Sequence, residues 1–138
     1  MTIDLNVLHM QGRVPVTVLK PRGAIDASNY LDLITAARQA YAGGARDILL
    51  DLGDVTYMSS SGIVALQSIC ALVRGDALPD LESVWGALRA VDRDRDTGMQ
   101  EHFKLLNPQP QVDRVLNTVG MTRYLQVFAD LDAALASF

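Results

Sequence analysis

The hydrophobic positions of the chain follow two different spacings, and these predict strands and helices in turn. Residues 3–8 and 14–20 are predicted strands, the second because Val14, Val16 and Val18 are spaced by two. The sequence Pro21-Arg22-Gly23 should end that strand. A helix is predicted next, capped by Asp26 or Ser28 and ended by the glycine pair at 43–44.

The second half of the chain continues this alternation. The run from Ile48 to Leu52 is short, branched and bounded by Gly53, as in a buried strand. After it, apolar residues at the spacing of one helical face predict a helix that runs to about Arg74. The further predictions are a strand at 103–106, a turn at 107–110, a helix at 112–119, a strand at 124–128 and a closing helix capped by Asp130. This order is typical of an α/β domain with right-handed crossovers over a mixed sheet.

The length and charge of the chain limit the number of domains and the classes of partner that it can have. With 138 residues, the chain is predicted to form a single domain over residues 1–138. Its formal charge of −4 argues against direct nucleic-acid binding, which needs clustered lysine and arginine. No membrane span or leader pattern is visible, and the lone Cys70 lies on a predicted apolar helix face, so we expect a cytoplasmic protein.

Three consecutive serines, Ser59 to Ser61, precede Gly62 at the start of the helix that follows the predicted buried strand 48–52. A serine there can accept a hydrogen bond from a free backbone N–H and so cap the helix. Alternatively it can carry a phosphate, since free N–H groups and the helix dipole favour an anion at that end. The spacing leaves both roles open. A nucleophile elbow is excluded because Met58 stands where that motif needs a glycine.

The segment from about 75 to 101 differs from the rest, since it holds seven acids and three arginines and so carries the whole net charge. Leu81, Val84, Trp85, Leu88 and Val91 share one helical face, which predicts a helix followed by an acidic loop. A calcium loop starting at residue 92 would need glycine sixth and glutamate twelfth, and neither is present. No metal site and no cofactor are therefore predicted.

Several of these segments together resemble the STAS domain, the module of bacterial anti-sigma factor antagonists and of sulfate transporter C-termini. The resemblance rests on Gly23-Ala24-Ile25-Asp26-Ala27, Asp51-Leu52, Val55-Thr56-Tyr57-Met58, Ser60-Ser61-Gly62 and Val119-Gly120-Met121. It implies a STAS-like α/β fold: a mixed sheet of four to five strands with about four helices. The 75–101 segment is then an insertion, where the family has a brief turn.

The resemblance also implies a function, that of a phosphorylation-controlled protein-binding module. The family loop usually reads Asp-Ser-Ser-Gly, and its first serine accepts phosphate from a partner kinase. Carried over, Ser60 is the phosphorylation site. The partner would be an anti-sigma factor with a serine-kinase fold, and the predicted contact residues are Asp26, Ser59, Ser61, Gly62 and Ile63. Ser59 departs from the family, because it stands where the acid is expected.

Other functions are weighed against this one. The alternative is a STAS scaffold or accessory subunit of a signalling or membrane-transport complex, in which the serines only cap the helix. Both the serine at position 59 and the insertion favour it. An enzyme is not predicted, since no base near Ser60 stands in a recognisable arrangement. Homodimer formation through the inserted helix is left open.

Overall fold

The computed structural model describes residues 3–75, 84–94 and 98–138. Within them the chain forms six strands, five α-helices and a 3-10 helix around one mixed sheet. The strands are β1 (Asp4–Gln11), β2 (Pro15–Ile25), β3 (Ile48–Asp51), β4 (Val55–Met58), β5 (Phe103–Leu106) and β6 (Val127–Phe128). The helices are α1 (Tyr30–Ala42), α2 (Ser60–Arg74), α3 (Val84–Asp94), α4 (Pro110–Val119) and α5 (Leu131–Ala136), with the 3-10 helix at Met121–Arg123. The predicted mixed α/β fold is confirmed.

The sheet has the order β1-β2-β3-β5-β6, and β4 pairs with the far end of β2. β1 is antiparallel to β2, and every other pairing is parallel. Helices cover the sheet on both faces: α1 and α2 pack over the larger core, and α5, which follows the last strand, packs over the smaller one. This explains why Ile48, Leu49 and Leu50 are all fully buried: the first and third face the larger core and the second faces the smaller one.

α2 lies in the middle of the larger core. It packs against α1 on one side and α3 on the other. Nearly all of its residues from Gly62 to Val73 are consequently buried, including Cys70, which is fully covered. The helix predicted within residues 75–101 is present as α3, with Val91 in the core. The acidic loop predicted around it lies partly outside the described residues.

The smaller core lies beneath α5, where Ala134 and Leu135 cover β2, β3 and β5. Asp130 caps α5 as predicted, since its carboxylate accepts a hydrogen bond from the backbone of Ala133 at 3.0 Å. Lys104 of β5 also points to this side. Its ammonium donates to the carbonyl and the hydroxyl of Ser137 at 2.8 and 3.0 Å, and burial lowers its pKa.

The strand predictions differ from the structure at β1, which extends to Gln11, and at β2, β4 and β6. β2 continues through Pro21 to Ile25, because β1 pairs with it there and a register shift at Gly23 and Ala24 lets β4 take over as its partner. β4 itself was not predicted as a strand, so the sheet has six strands rather than four to five. The strand predicted at 124–128 is reduced to Val127–Phe128, because Tyr124 and Leu125 are buried in the larger core just after the 3-10 helix.

Among the described helices, none combines the length and apolar character that crossing a membrane requires.

Candidate functional site

The serine loop, residues 59–62, comprises the link after β4 and the first turn of α2, at the carboxyl end of the strand. Ser59 has extended backbone angles, and its N–H donates to the carbonyl of Ile25 at 2.9 Å. Its hydroxyl accepts a hydrogen bond from the N–H of Ser61 at 3.2 Å, which makes Ser59 the cap of α2. One of the two roles open to the serines is thus filled by Ser59.

Ser60 is the first residue of α2, and it is exposed. Its hydroxyl has no hydrogen-bond partner among the residues that the structure describes. A hydroxyl at this place can be reached by another protein, and an anion attached to it would meet the positive end of the α2 dipole. The geometry therefore suits modification of Ser60.

Gly62 and Ile63 lie below the surface. A Cβ on Gly62 would come within 2.3 Å of the Met58 side chain, so a glycine is needed for this close approach of helix and strand. Ile63 is only 2% exposed and belongs to the larger core. The sequence predicted a partner contact through both residues, but the structure assigns the Ile63 side chain to internal packing.

Asp26 lies beside the serine loop, because it directly follows the Ile25 carbonyl that binds Ser59. Its carboxylate accepts hydrogen bonds from the hydroxyl and the N–H of Ser28, at 2.5 and 2.9 Å. These bonds favour the ionised form and hold the pKa of Asp26 below its ordinary value of 3.8. A negative charge is thus fixed next to the loop at neutral pH.

The predicted cap of α1 was wrong. Neither Asp26 nor Ser28 occupies the N-cap position, which is taken by Asn29 without a side-chain cap. The Asn29 side chain instead accepts from the Asp26 N–H at 3.0 Å and donates to the Ala24 carbonyl at 2.8 Å. These bonds fix the loop that carries Asp26 beside the serines.

Two exposed apolar residues on β4 and α1 were missed by the sequence analysis. Tyr57 on β4 is 50% exposed, and Leu31 in the first turn of α1 is 48% exposed. Single exposed apolar side chains are common on protein surfaces, so these two add apolar area without by themselves marking a site. The signal was present at Tyr57, which comes three residues before Ser60 in a strand too short to be recognised.

The remaining chemistry-bearing residues lie apart from the serine loop. His102 contacts Asp47 at 2.8 Å before β3, and His9 lies on the exposed strand β1. Among the described residues, no group of three His, Cys, Asp or Glu side chains is placed to hold a metal ion. The site therefore offers an exposed hydroxyl, a fixed carboxylate and apolar surface, which are the components of a contact surface.

Comparisons with known proteins agree with the fold described above. The family model described as the STAS domain matches residues 8–77. A sequence search of curated proteins found no match. A crystal structure of an anti-sigma factor antagonist from Mycobacterium paratuberculosis matches with a TM-score of 0.68 at 20% identity, covering 98% of this chain and 92% of that one. The anti-sigma factor antagonist SpoIIAA in its unphosphorylated form matches with a TM-score of 0.63 at 20% identity, covering 96% and 93%.

Proposed function

The chain belongs to the STAS domain family, and from this premise we propose that it is a phosphorylation-controlled binding module. In this proposal the unmodified serine loop docks onto an anti-sigma factor with a serine-kinase fold. The partner phosphorylates Ser60, and the phosphate then prevents docking. Two proteins of similar structure are anti-sigma factor antagonists, which supports the choice of partner.

The observation that carries the proposal is the division of roles between Ser59 and Ser60. Ser59 caps α2, and Ser60 next to it is exposed with its hydroxyl unused by the described residues. This also accounts for the departure from the family's acid at position 59. Serine and aspartate are about equally good N-caps, so the replacement preserves the start of α2.

The effect of a phosphate differs between the free protein and the complex. In the free protein, a charge of about −2 at the start of α2 gains about 0.3–1 kcal/mol from the helix dipole, which offsets repulsion by Asp26. Inside a contact, a buried charge without a cationic partner costs about 2–5 kcal/mol. The second effect is the larger one, so phosphorylation should leave the fold intact and weaken binding.

The exposed apolar side chains supply the rest of the docking surface. Tyr57 and Leu31 lie on the two elements next to the serine loop, β4 and α1, and both are about half exposed. Full burial of an exposed apolar side chain contributes roughly 1.5–3 kcal/mol, so covering the exposed half of each would contribute about 0.7–1.5 kcal/mol. Tyrosine in particular is frequent among the residues that dominate binding at protein interfaces. Ser60 would then act as the switch, and these side chains as anchors.

The proposal is tested by calorimetry with an anti-sigma factor of serine-kinase fold from the same organism. We expect Ser60→Ala to bind like the unmodified protein and Ser60→Asp to bind at least about 30-fold more weakly. Thr118→Asp, at an exposed site on α4, is the matched control and should bind normally. Incubation with the partner and ATP should add one phosphate to the parent chain and none to Ser60→Ala, as measured by intact mass.

The same experiment distinguishes the alternative function. Equal binding by Ser60→Asp and the parent chain, with no gain of mass, would refute the switch. It would favour a scaffold or accessory subunit of a signalling or transport complex, in which the serine loop has only the structural role of Ser59.

A further inference from the structure

A second surface, separate from the serine loop, lies at the edge of the sheet that β6 forms. A shallow groove of about 490 Å³ opens there between α4, the 3-10 helix and β6. We call it the β6 groove; its lining residues are Met99, Asp113, Asn117, Thr122, Leu125, Gln126, Val127 and Phe128. It shares no residue with the serine loop or with the residues beside it.

The β6 groove contains an unused backbone donor and acceptor. The carbonyls of Gln126 and Phe128 accept hydrogen bonds from the N–H groups of Leu105 and Asn107, at 3.0 and 2.7 Å. Backbone groups of successive strand residues point to opposite sides, so the N–H and carbonyl of Val127 point away from β5. Neither has a hydrogen-bond partner within residues 3–75, 84–94 and 98–138. An extended chain placed here could bind both.

The side chains around this backbone pair define the occupant. Met99 and Val127 are 46% and 38% exposed, which provides apolar contact beside the edge. Asp113 is the one charged residue among those that line the groove. Thr122 donates to Asn117 at 2.8 Å, and Asn117 donates to the carbonyl of Asp113 at 2.9 Å, so this wall is held in place. The groove thus combines strand pairing, apolar contact and negative charge.

We propose that the β6 groove binds an extended segment of a partner protein by strand addition to β6. The segment carries aliphatic side chains that contact Met99 and Val127, and a lysine or arginine that pairs with Asp113. Backbone pairing supplies affinity in such contacts, and the flanking side chains supply selectivity. The chain would then hold two proteins at once, one at the serine loop and one at β6.

The test uses a fluorescein-labelled heptapeptide of alternating lysine and valine, followed by fluorescence polarisation. We expect saturable binding with a Kd below about 1 mM, and amide NMR shifts centred on Val127. Asp113→Asn should weaken binding about two- to fivefold. Asp132→Asn makes the same change of charge at an exposed position on α5, and it should leave binding unchanged. Asp113→Lys should favour the matching glutamate-valine peptide instead.

The backbone contact is tested separately. Val127→Pro removes the outward N–H at a sheet edge, where proline is tolerated, and should weaken binding about two- to tenfold. N-methylation of the central peptide residues should do the same without any change to the protein. Ser60→Asp should leave peptide binding unchanged, so the two sites fail or succeed independently.

Four outcomes would overturn the proposal. Three concern the peptide: no binding below about 1 mM, equal weakening by Asp113→Asn and Asp132→Asn, and equal affinity of the methylated and unmethylated peptides. NMR shifts at Val127 that depend on protein concentration without peptide would also overturn it, since a second copy of the chain would then occupy the groove.

Discussion

Neighbouring side chains of the same chemistry have different roles at the start of α2. Ser59 uses its hydroxyl within the fold, and Ser60 presents its hydroxyl to solvent. Across the loop, Asp26 is held by Ser28 rather than by a helix end. The loop therefore has a fixed shape and a fixed charge before any partner arrives, which reduces the entropy that binding must offset.

The ionisation of Asp26 can be tested at this scale. Ser28→Ala removes the hydroxyl that contributes most to the lowered pKa, so the pKa of Asp26 should rise toward 3.8. Carboxyl carbon NMR titration of both proteins measures it. A carboxyl with a lowered pKa stabilises the fold above the unfolded value near 3.8, and this contribution is lost as the pH falls through the folded pKa. Identical titration curves would contradict the assigned cause.

At the scale of elements, the start of α2 depends on Ser59 alone among the serines. Ser59→Ala should lower the free energy of unfolding by about 1 kcal/mol, because the Ser61 N–H loses its acceptor. Ser59→Asp should restore the cap, and Ser60→Ala should change stability by less than about 0.5 kcal/mol. Urea unfolding of the three variants measures these differences. A loss at Ser60→Ala as large as that at Ser59→Ala would show that the cap is wrongly assigned.

The sequence predicted the long elements well, because their periodicity and their ends are local. Helix α4 ends at Gly120, whose φ of 88° suits glycine, and α2 and β3 were likewise found close to their observed bounds. The errors fall where pairing between distant segments decides the outcome. Pro21 lies within β2 only because β1 and β4 supply partners on either side of Gly23.

The difference between local pattern and long-range contact also explains which features of the serine loop the sequence predicted and which it missed. The spacing of the serines placed Ser60 at a helix start, but the choice of Ser59 as the cap depends on the β2–β4 pairing that positions it. Ile63 is buried in the larger core together with residues of other elements, and periodicity alone could not show that they cover it. Local pattern thus gave the location of the site, and tertiary contacts determined the role of each residue.

On the scale of the whole molecule, buried polar contacts connect α2 to the segment before β5 and to the residue after the 3-10 helix. The hydroxyl of Tyr124 donates to Gln67 of α2 at 2.6 Å, and the N–H of Gln100 donates to the Tyr124 carbonyl at 2.7 Å. Gln100 also reaches the carbonyl of Cys70. Because these residues come from segments far apart in sequence, they hold α2 in a fixed position relative to the sheet.

Tyr124→Phe tests this connection. Removing the hydroxyl leaves the buried oxygen of Gln67 without this donor, so the free energy of unfolding should fall by about 1–3 kcal/mol. Tyr57→Phe is the matched control at a side chain that is 50% exposed, and it should cost less than about 0.5 kcal/mol. Chemical denaturation measures both. Equal effects of the two changes would show that the buried bond contributes nothing to stability.

Because Cys70 is completely buried, the reactivity of its thiol reports local opening of the structure around α2. A thiol reagent can reach that sulfur only during the brief intervals when α2 lifts from its neighbours. The labelling rate, divided by that of a free thiol, therefore measures how often the centre of the protein is exposed. A partner that keeps α2 packed against its neighbours would slow the reaction. Labelling with iodoacetamide can therefore detect binding at the serine loop through Cys70, without an engineered probe.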